Sequence, residues 1–212
     1  AARVLRVRSV RWLLAGSTAR LFAGFAIGAW AAPYYRSAFP DRAAEYALVN
    51  ALIVAGAGTF AAVGGGVIAD RLSASADGKG SDDGEANKAY LPMLGALGAI
   101  PFWVAAVRST SFGPAMGALL CAYLLAETWY GATIAMLQGA LPRRVWGTAQ
   151  GTLNLVQIVA NLSPWLLGAL HRRGTPLRLL LSTTIPAAYM VTALCFWFAM
   201  GARRAEGRVA DD

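Results

Sequence analysis

Two side chains could do chemistry because of where they stand. Arg20 and Glu127 are each the single charge inside a long apolar run. A charge in hydrocarbon is expensive, and ionisable groups inside membrane spans face a cavity, a pathway or one another. Arg20 lies about ten residues into its run and Glu127 about twelve into the other, so at about 1.5 Å per residue both reach similar depth. If their helices adjoin, the opposite charges relieve each other's desolvation. Two readings stay open: a purely structural buried pair, or a cavity-facing pair that serves as a substrate or proton site.

Thr128, Trp129, Tyr130 and Gly131 follow the acid directly. On a continuous helix Trp129 lies roughly 200° round from Glu127, whereas Tyr130, three residues on, shares its face. Tyr130 is therefore the better candidate for touching a substrate. The next apolar run carries Asn154, Gln157 and Asn161 at i, i+3 and i+7, on one helical face. These amides read either as interhelical hydrogen bonds, worth about 0.6 kcal/mol each in a membrane protein, or as the polar wall of a translocation path. Gln138, nearer the end of its run, reads as structural.

The elements that must position these groups follow from composition. The 212 residues are 57% hydrophobic and only 14% charged, with a mean hydropathy of +0.49. Soluble domains carry roughly 25% charged residues, so the fold class is an all-α membrane protein. Six apolar runs meet the need for about 20 residues to cross a hydrocarbon core of about 30 Å. They cover about 10–32, 43–69, 89–107, 115–141, 146–170 and 177–200. Pro33-Tyr34-Tyr35-Arg36 ends the first, and Pro101 is expected to kink the third. Ala57, Ala61, Gly65 and Ala69 recur every fourth residue in the second, a pattern for close helix approach. The organisation is thus a basic lead-in over 1–11, a bundle over 12–200 and a tail over 201–212. A polar loop over 73–88 reads as flexible. The opening Ala1-Ala2-Arg3, without initiator Met or signal-peptide pattern, reads as part of a longer product.

An even number of spans puts both ends on one side, here side A. The loops and ends of side A hold twelve Lys and Arg, against six on side B. That excess assigns side A to the cytoplasm, with the chain an integral, multi-pass protein. It also accounts for most of the net charge of +8, so the basic balance is a topology signal and no nucleic-acid partner is expected. Membrane lipids are the surroundings. Cys121 and Cys195 lie in apolar runs and give neither a disulfide framework nor metal spacing. With one histidine, His171, and no Gly-x-Ser-x-Gly elbow or phosphate-binding Gly-x4-Gly-Lys, no enzyme, metal or cofactor is expected.

Several segments resemble a known family. Gly66-Val67-Ile68-Ala69-Asp70-Arg71, after the second span, resembles the Gly-x-x-x-Asp-Arg signature of the major facilitator superfamily; Ser73-Ala74-Ser75 and an acidic loop replace that family's following Gly and basic cluster. Glu127-x-Trp129-x-Gly131, Gln138, Leu141-Pro142, Gly147-Thr148-Ala149 and Asn154 resemble the tenth and eleventh helices of its spinster-like branch. Phe25 to Trp30, with Pro33-Tyr34-Tyr35, resembles that branch's seventh helix. The resemblance implies a C-terminal six-helix half-bundle of a twelve-helix transporter, working by alternating access on a small organic or lipid-like solute. It implies a partner too, the N-terminal half or a second copy. It assigns Gly66, Asp70 and Arg71 to a cytoplasmic gate and places the first and fourth spans among the cavity-lining helices; Arg20, Glu127, Tyr130, Asn154, Gln157 and Asn161 would then line the solute path or, as intramembrane charge and amides, hold it together. A non-transporting six-helix module that binds a lipid or a partner protein is the alternative.

Overall fold

The structure, a computed structural model, describes residues 4–74 and 82–211. Every regular element among them is helical. Six segments are long and apolar enough to cross a membrane: Arg8–Ala38, Pro40–Gly65, Tyr90–Arg108, Phe112–Gly139, Arg143–Arg172 and Leu177–Glu206. They match the six apolar runs, and differ from them in where individual helices run on, break and end.

The first span is one helix, α1 (Arg8–Ala38), which continues through Pro33 rather than ending there. Proline removes one backbone bond, but Tyr34 and Tyr35 beyond it are buried and hold the helix in place. The second span is α2 (Ala43–Leu52), a π-helical turn over Ile53–Ala57, and α3 (Gly58–Ala74). Ala57, Ala61 and Gly65 are its buried stripe. In the region read as a flexible loop, a short α4 (Asp82–Asn87) stands, and residues 75–81 lie outside the described ones. The third span is α5 (Tyr90–Arg108), unbroken across Pro101.

The fourth and fifth spans are each split. α6 (Phe112–Ala126) stops one residue before the acid and α7 (Trp129–Gly139) starts two residues after it, leaving Glu127 and Thr128 as a turn. α8 (Trp146–Ala160) and α9 (Leu162–Arg172) meet at Asn161. The sixth span, α10 (Leu177–Asp211), runs through Pro186 and past the expected boundary at residue 200.

Polar contacts define the two ends of the bundle. At side A, Glu206 of α10 accepts from the backbone N–H (3.0 Å) and the hydroxyl (2.6 Å) of Ser9. A carboxylate there meets the free N–H groups and positive dipole end of α1. Arg203 donates to Gly139 O (3.2 Å) and Arg204 to Asn87 Oδ1 (2.8 Å), which gathers α4, α7 and α10 at the same end. At side B, the Tyr34 hydroxyl donates to Val107 O and Arg178 Nε donates to Tyr34 Oη at 3.3 Å. Trp30 Nε1 donates to Pro164 O at 2.9 Å. α1 runs down the middle, packed chiefly on α10 and also on α8 and α9, while α5 joins α6 to α10. Three apolar clusters result. A large one lies between mid-depth and side B, and two smaller ones, around Phe196 and around Leu137, lie toward side A.

Candidate functional site

The interruption of the fourth span is where the two lone charges meet. The last α-helical bond before it runs from Glu127 N–H to Tyr123 O, at 3.0 Å. Thr128 then turns its hydroxyl back onto Leu125 O at 2.9 Å, the local side-chain competition that makes Thr a poor helix-interior residue. Two glycines of neighbouring helices press on this turn. A Cβ on Gly65 of α3 would stand 2.9 Å from Thr128 O, and one on Gly95 of α5 would stand 2.6 Å from Leu125 O. Only helices lacking a side chain at these points can approach the turn so closely.

The break leaves a helix end in the middle of the bundle. The last carbonyls of a helix have no partner within it, and Arg20 of α1 takes up one of them. Its Nε and Nη2 donate to Ala126 O at 3.1 and 3.0 Å, and Nη2 also donates to Glu127 Oε1 at 2.7 Å. The cation thus sits at the negative end of the α6 dipole, and the acid precedes the positive end of α7. Aromatic faces complete the shell, with the guanidinium carbon 5.7 Å from the Trp129 ring centroid and 5.4 Å from that of Tyr189. Both distances are within cation–π range. Gly24, one turn on from Arg20, gives the guanidinium room, since a Cβ there would lie 3.3 Å from Nη1.

The two partners differ in exposure. The Arg20 side chain is 4% exposed and that of Glu127 35%. The acid looks into a small cavity of about 40 Å³, which Arg20, Gly24, Trp103, Tyr123 and Tyr189 also line. The arrangement can hold a fixed charge pair beside a polar space at mid-depth of the bundle. Among the described residues no group of three or more His, Cys, Asp or Glu gathers at one place.

The other residues singled out by sequence are elsewhere. Tyr130 is exposed and does not line this cavity, whereas Trp129 is the aromatic that meets Arg20. The turn at Glu127–Thr128 breaks the 100° step on which the opposite expectation rested. Asn154 and Asn161 are exposed and Gln157 half-buried, and their bonds stay on their own helix. Gln157 Nε2 donates to Asn154 Oδ1 at 3.3 Å, and Asn161 Nδ2 donates to Gln157 O at 3.0 Å, capping the end of α8. The structure does not bring these amides to the Arg20–Glu127 cavity. Of the Gly66–Asp70–Arg71 motif, Arg71 is exposed on α3; Gly66 and the Asp70 side chain lie outside the described residues. Sequence reasoning missed Tyr123 and Tyr189. The signal for Tyr123 was its place four residues before Glu127; for Tyr189 there was none short of the packing of α10.

No protein-family model matches the chain, and neither a curated protein sequence nor a solved structure matches it.

Proposed function

We propose that this chain is one six-helix half of a secondary transporter for a small organic or lipid-like solute, resembling the spinster-like branch of the major facilitator superfamily, with side A in the cytoplasm. The observation that carries the reading is the broken fourth span with the Arg20–Glu127 pair at the break. Irregular backbone at membrane depth is tolerated where it is buried in protein or lines a cavity, and discontinuous helices near the midplane build the sites of many transporters. Glu127 is the group through which protons would couple to transport. Glu127→Gln is then expected to remove the pH dependence of uptake, and a variant that keeps it in full would end that part of the proposal.

A second bundle is part of the reading. The second and fifth spans are the least covered by the rest of the chain, with 18% and 28% of their most apolar stretch buried, against 39–44% in the others. Along α8, Gly147, Gly151, Asn154 and Ile158 are exposed at spacings of four and three. Small residues and amides in such a seam suit another helix better than lipid. Asn154→Leu together with Asn161→Leu should leave the chain folded and abolish its association with the other half-bundle in native gels.

One observation favours the alternative, a non-transporting module that binds lipid or a partner protein. The cavity of about 40 Å³ is far below the roughly 300–1,000 Å³ of a ligand pocket. Uptake of a panel of amino acids, sugars, amphipathic drugs and lysolipids into proteoliposomes separates the two. Accumulation of any of them supports transport; none, with the amide seam still engaged by a partner, supports the module.

A further inference from the structure

One side of α1 carries a charged end and an apolar groove in line with each other. At the side A end, Arg8, Arg11, Trp12 and Ala15 line a cavity of about 360 Å³. Next to it, Ala15, Ala19 and Phe22 of α1 line a second cavity of about 520 Å³ together with Ala187, Ala188 and Val191 of α10. Both volumes fall within the roughly 300–1,000 Å³ of a ligand pocket, and Ala15 is common to the two. The α1 positions recur every three or four residues and so share one side of the helix. Ala15, Ala187 and Val191 are exposed, which makes the second cavity a groove on the outside of the bundle. Its walls are small and apolar residues with two threonines, Thr18 and Thr184, and no charge.

The charged end lacks a counter-ion. Arg8 and Arg11 are exposed, and neither makes a hydrogen bond or ion pair with another described residue. Glu206, at the same end, is taken up by Ser9, which is buried. Two guanidinium groups one helical turn apart suit the oxygens of a phosphate, which arginine holds bidentately. Trp12 follows them, half-buried, with its ring 4.9 Å from that of Phe198 of α10. Aromatic side chains at this level are typical of the membrane–water boundary. Arg8 and Phe22 stand fourteen residues apart, about 21 Å along a helix. One leaflet with its headgroups is about 20–22 Å thick. The charged end and the groove therefore cover the depth of a single lipid, from the headgroup level to the midplane.

We propose that this side of α1, with the groove it forms against α10, holds one anionic glycerophospholipid of the side A leaflet. Its phosphate lies on Arg8 and Arg11, and an acyl chain lies along the groove. The occupant is a lipid and not a free phosphate because the charged end and the apolar groove are continuous through Ala15. The site rests on the chain crossing a membrane and stands whether or not the chain moves a solute. It is separate from the seam of the second and fifth spans, since none of its lining residues belongs to either.

Native mass spectrometry of the full chain, released from detergent with phosphatidylglycerol or phosphatidylcholine added, tests the site by counting retained lipid. The unaltered chain should retain one phosphatidylglycerol at concentrations several-fold below those that phosphatidylcholine needs. Excess inorganic phosphate should not displace it. Arg8→Gln/Arg11→Gln removes side chains that bond to nothing else in the fold and should weaken phosphatidylglycerol several-fold, to the level of phosphatidylcholine. Ala15→Phe/Ala187→Phe fills the groove from exposed positions, leaves both arginines in place, and should also weaken retention several-fold. Arg172→Gln/Arg173→Gln, an equal loss of exposed charge at side B, should change the retention of neither lipid. Equal retention of the two lipids by the unaltered chain would overturn the proposal. So would phosphatidylglycerol kept in full by the arginine or the groove variant, its displacement by phosphate, or an equal loss in the side B control.

Discussion

Removing either partner of the mid-bundle ion pair should destabilise the chain, by unequal and strongly coupled amounts. Arg20→Met fills a similar volume but deletes three hydrogen bonds and the two ring contacts, leaving Ala126 O unpaired. Breaking a buried pair this way costs about 3–5 kcal/mol. Glu127→Gln keeps an acceptor for Nη2 and removes only the counter-charge. The guanidinium retains Ala126 O and both rings, and the acid was 35% exposed, so about 1–3 kcal/mol is expected. In Arg20→Met/Glu127→Gln the counter-charge has nothing left to neutralise, so its loss costs little further. The double-mutant cycle should then show a coupling energy of about 1–3 kcal/mol. Reversible unfolding by SDS in mixed micelles, followed by tryptophan fluorescence, measures all four corners. Costs that add to within about 0.5 kcal/mol, the additivity expected of independent sites, would refute the account of the pair.

Three further outcomes follow from the packing. Gly95→Ala places a Cβ 2.6 Å from Leu125 O and should cost about 1–3 kcal/mol of overpacking strain. Gly117→Ala, with open space at its Cβ, should be neutral or stabilise by about 0.5–1 kcal/mol; the reverse order in the same SDS titration would contradict the clamp on the turn. Tyr34→Phe removes the donor to Val107 O and the acceptor for Arg178 and should lower stability by about 1–3 kcal/mol, with no change expected for the exposed Tyr130→Phe. Glu206→Gln, which loses a charged acceptor at the start of α1, should loosen the last turns of α10. Trypsin should then cut after Arg203 and Arg204 faster than in the unaltered chain, and equal rates would show that the contact holds nothing.

Much of the fold is legible in the sequence, and the reason is physical. A run of about 20 apolar residues is long enough to cross a membrane, so six candidate spans can be read without knowing their neighbours. The same logic brought Arg20 and Glu127 to one depth, since depth depends only on rise per residue. The breaks are a different matter. The turn at Glu127–Thr128 is made by Arg20 reaching across from α1 and by Gly65 and Gly95 closing in from α3 and α5. None of these is local to it. Once the helix breaks, angular arithmetic fails across it, which is why Trp129 rather than Tyr130 meets the guanidinium. Tyr123 and Tyr189 escaped notice because a tyrosine in an apolar run usually marks core or interface. What sets these two apart is the cavity they share, and that exists only in the assembled bundle. Spacing alone puts Asn154, Gln157 and Asn161 on one face; that this face is turned away from the chain's own core depends on packing.

Solute uptake into sealed proteoliposomes, with Arg20→Met beside the unaltered protein, tests the central proposal most directly. The account predicts that the unaltered protein accumulates a small organic or lysolipid solute and that Arg20→Met, inserted to the same level, does not. Uptake that survives loss of Arg20 undiminished would contradict it.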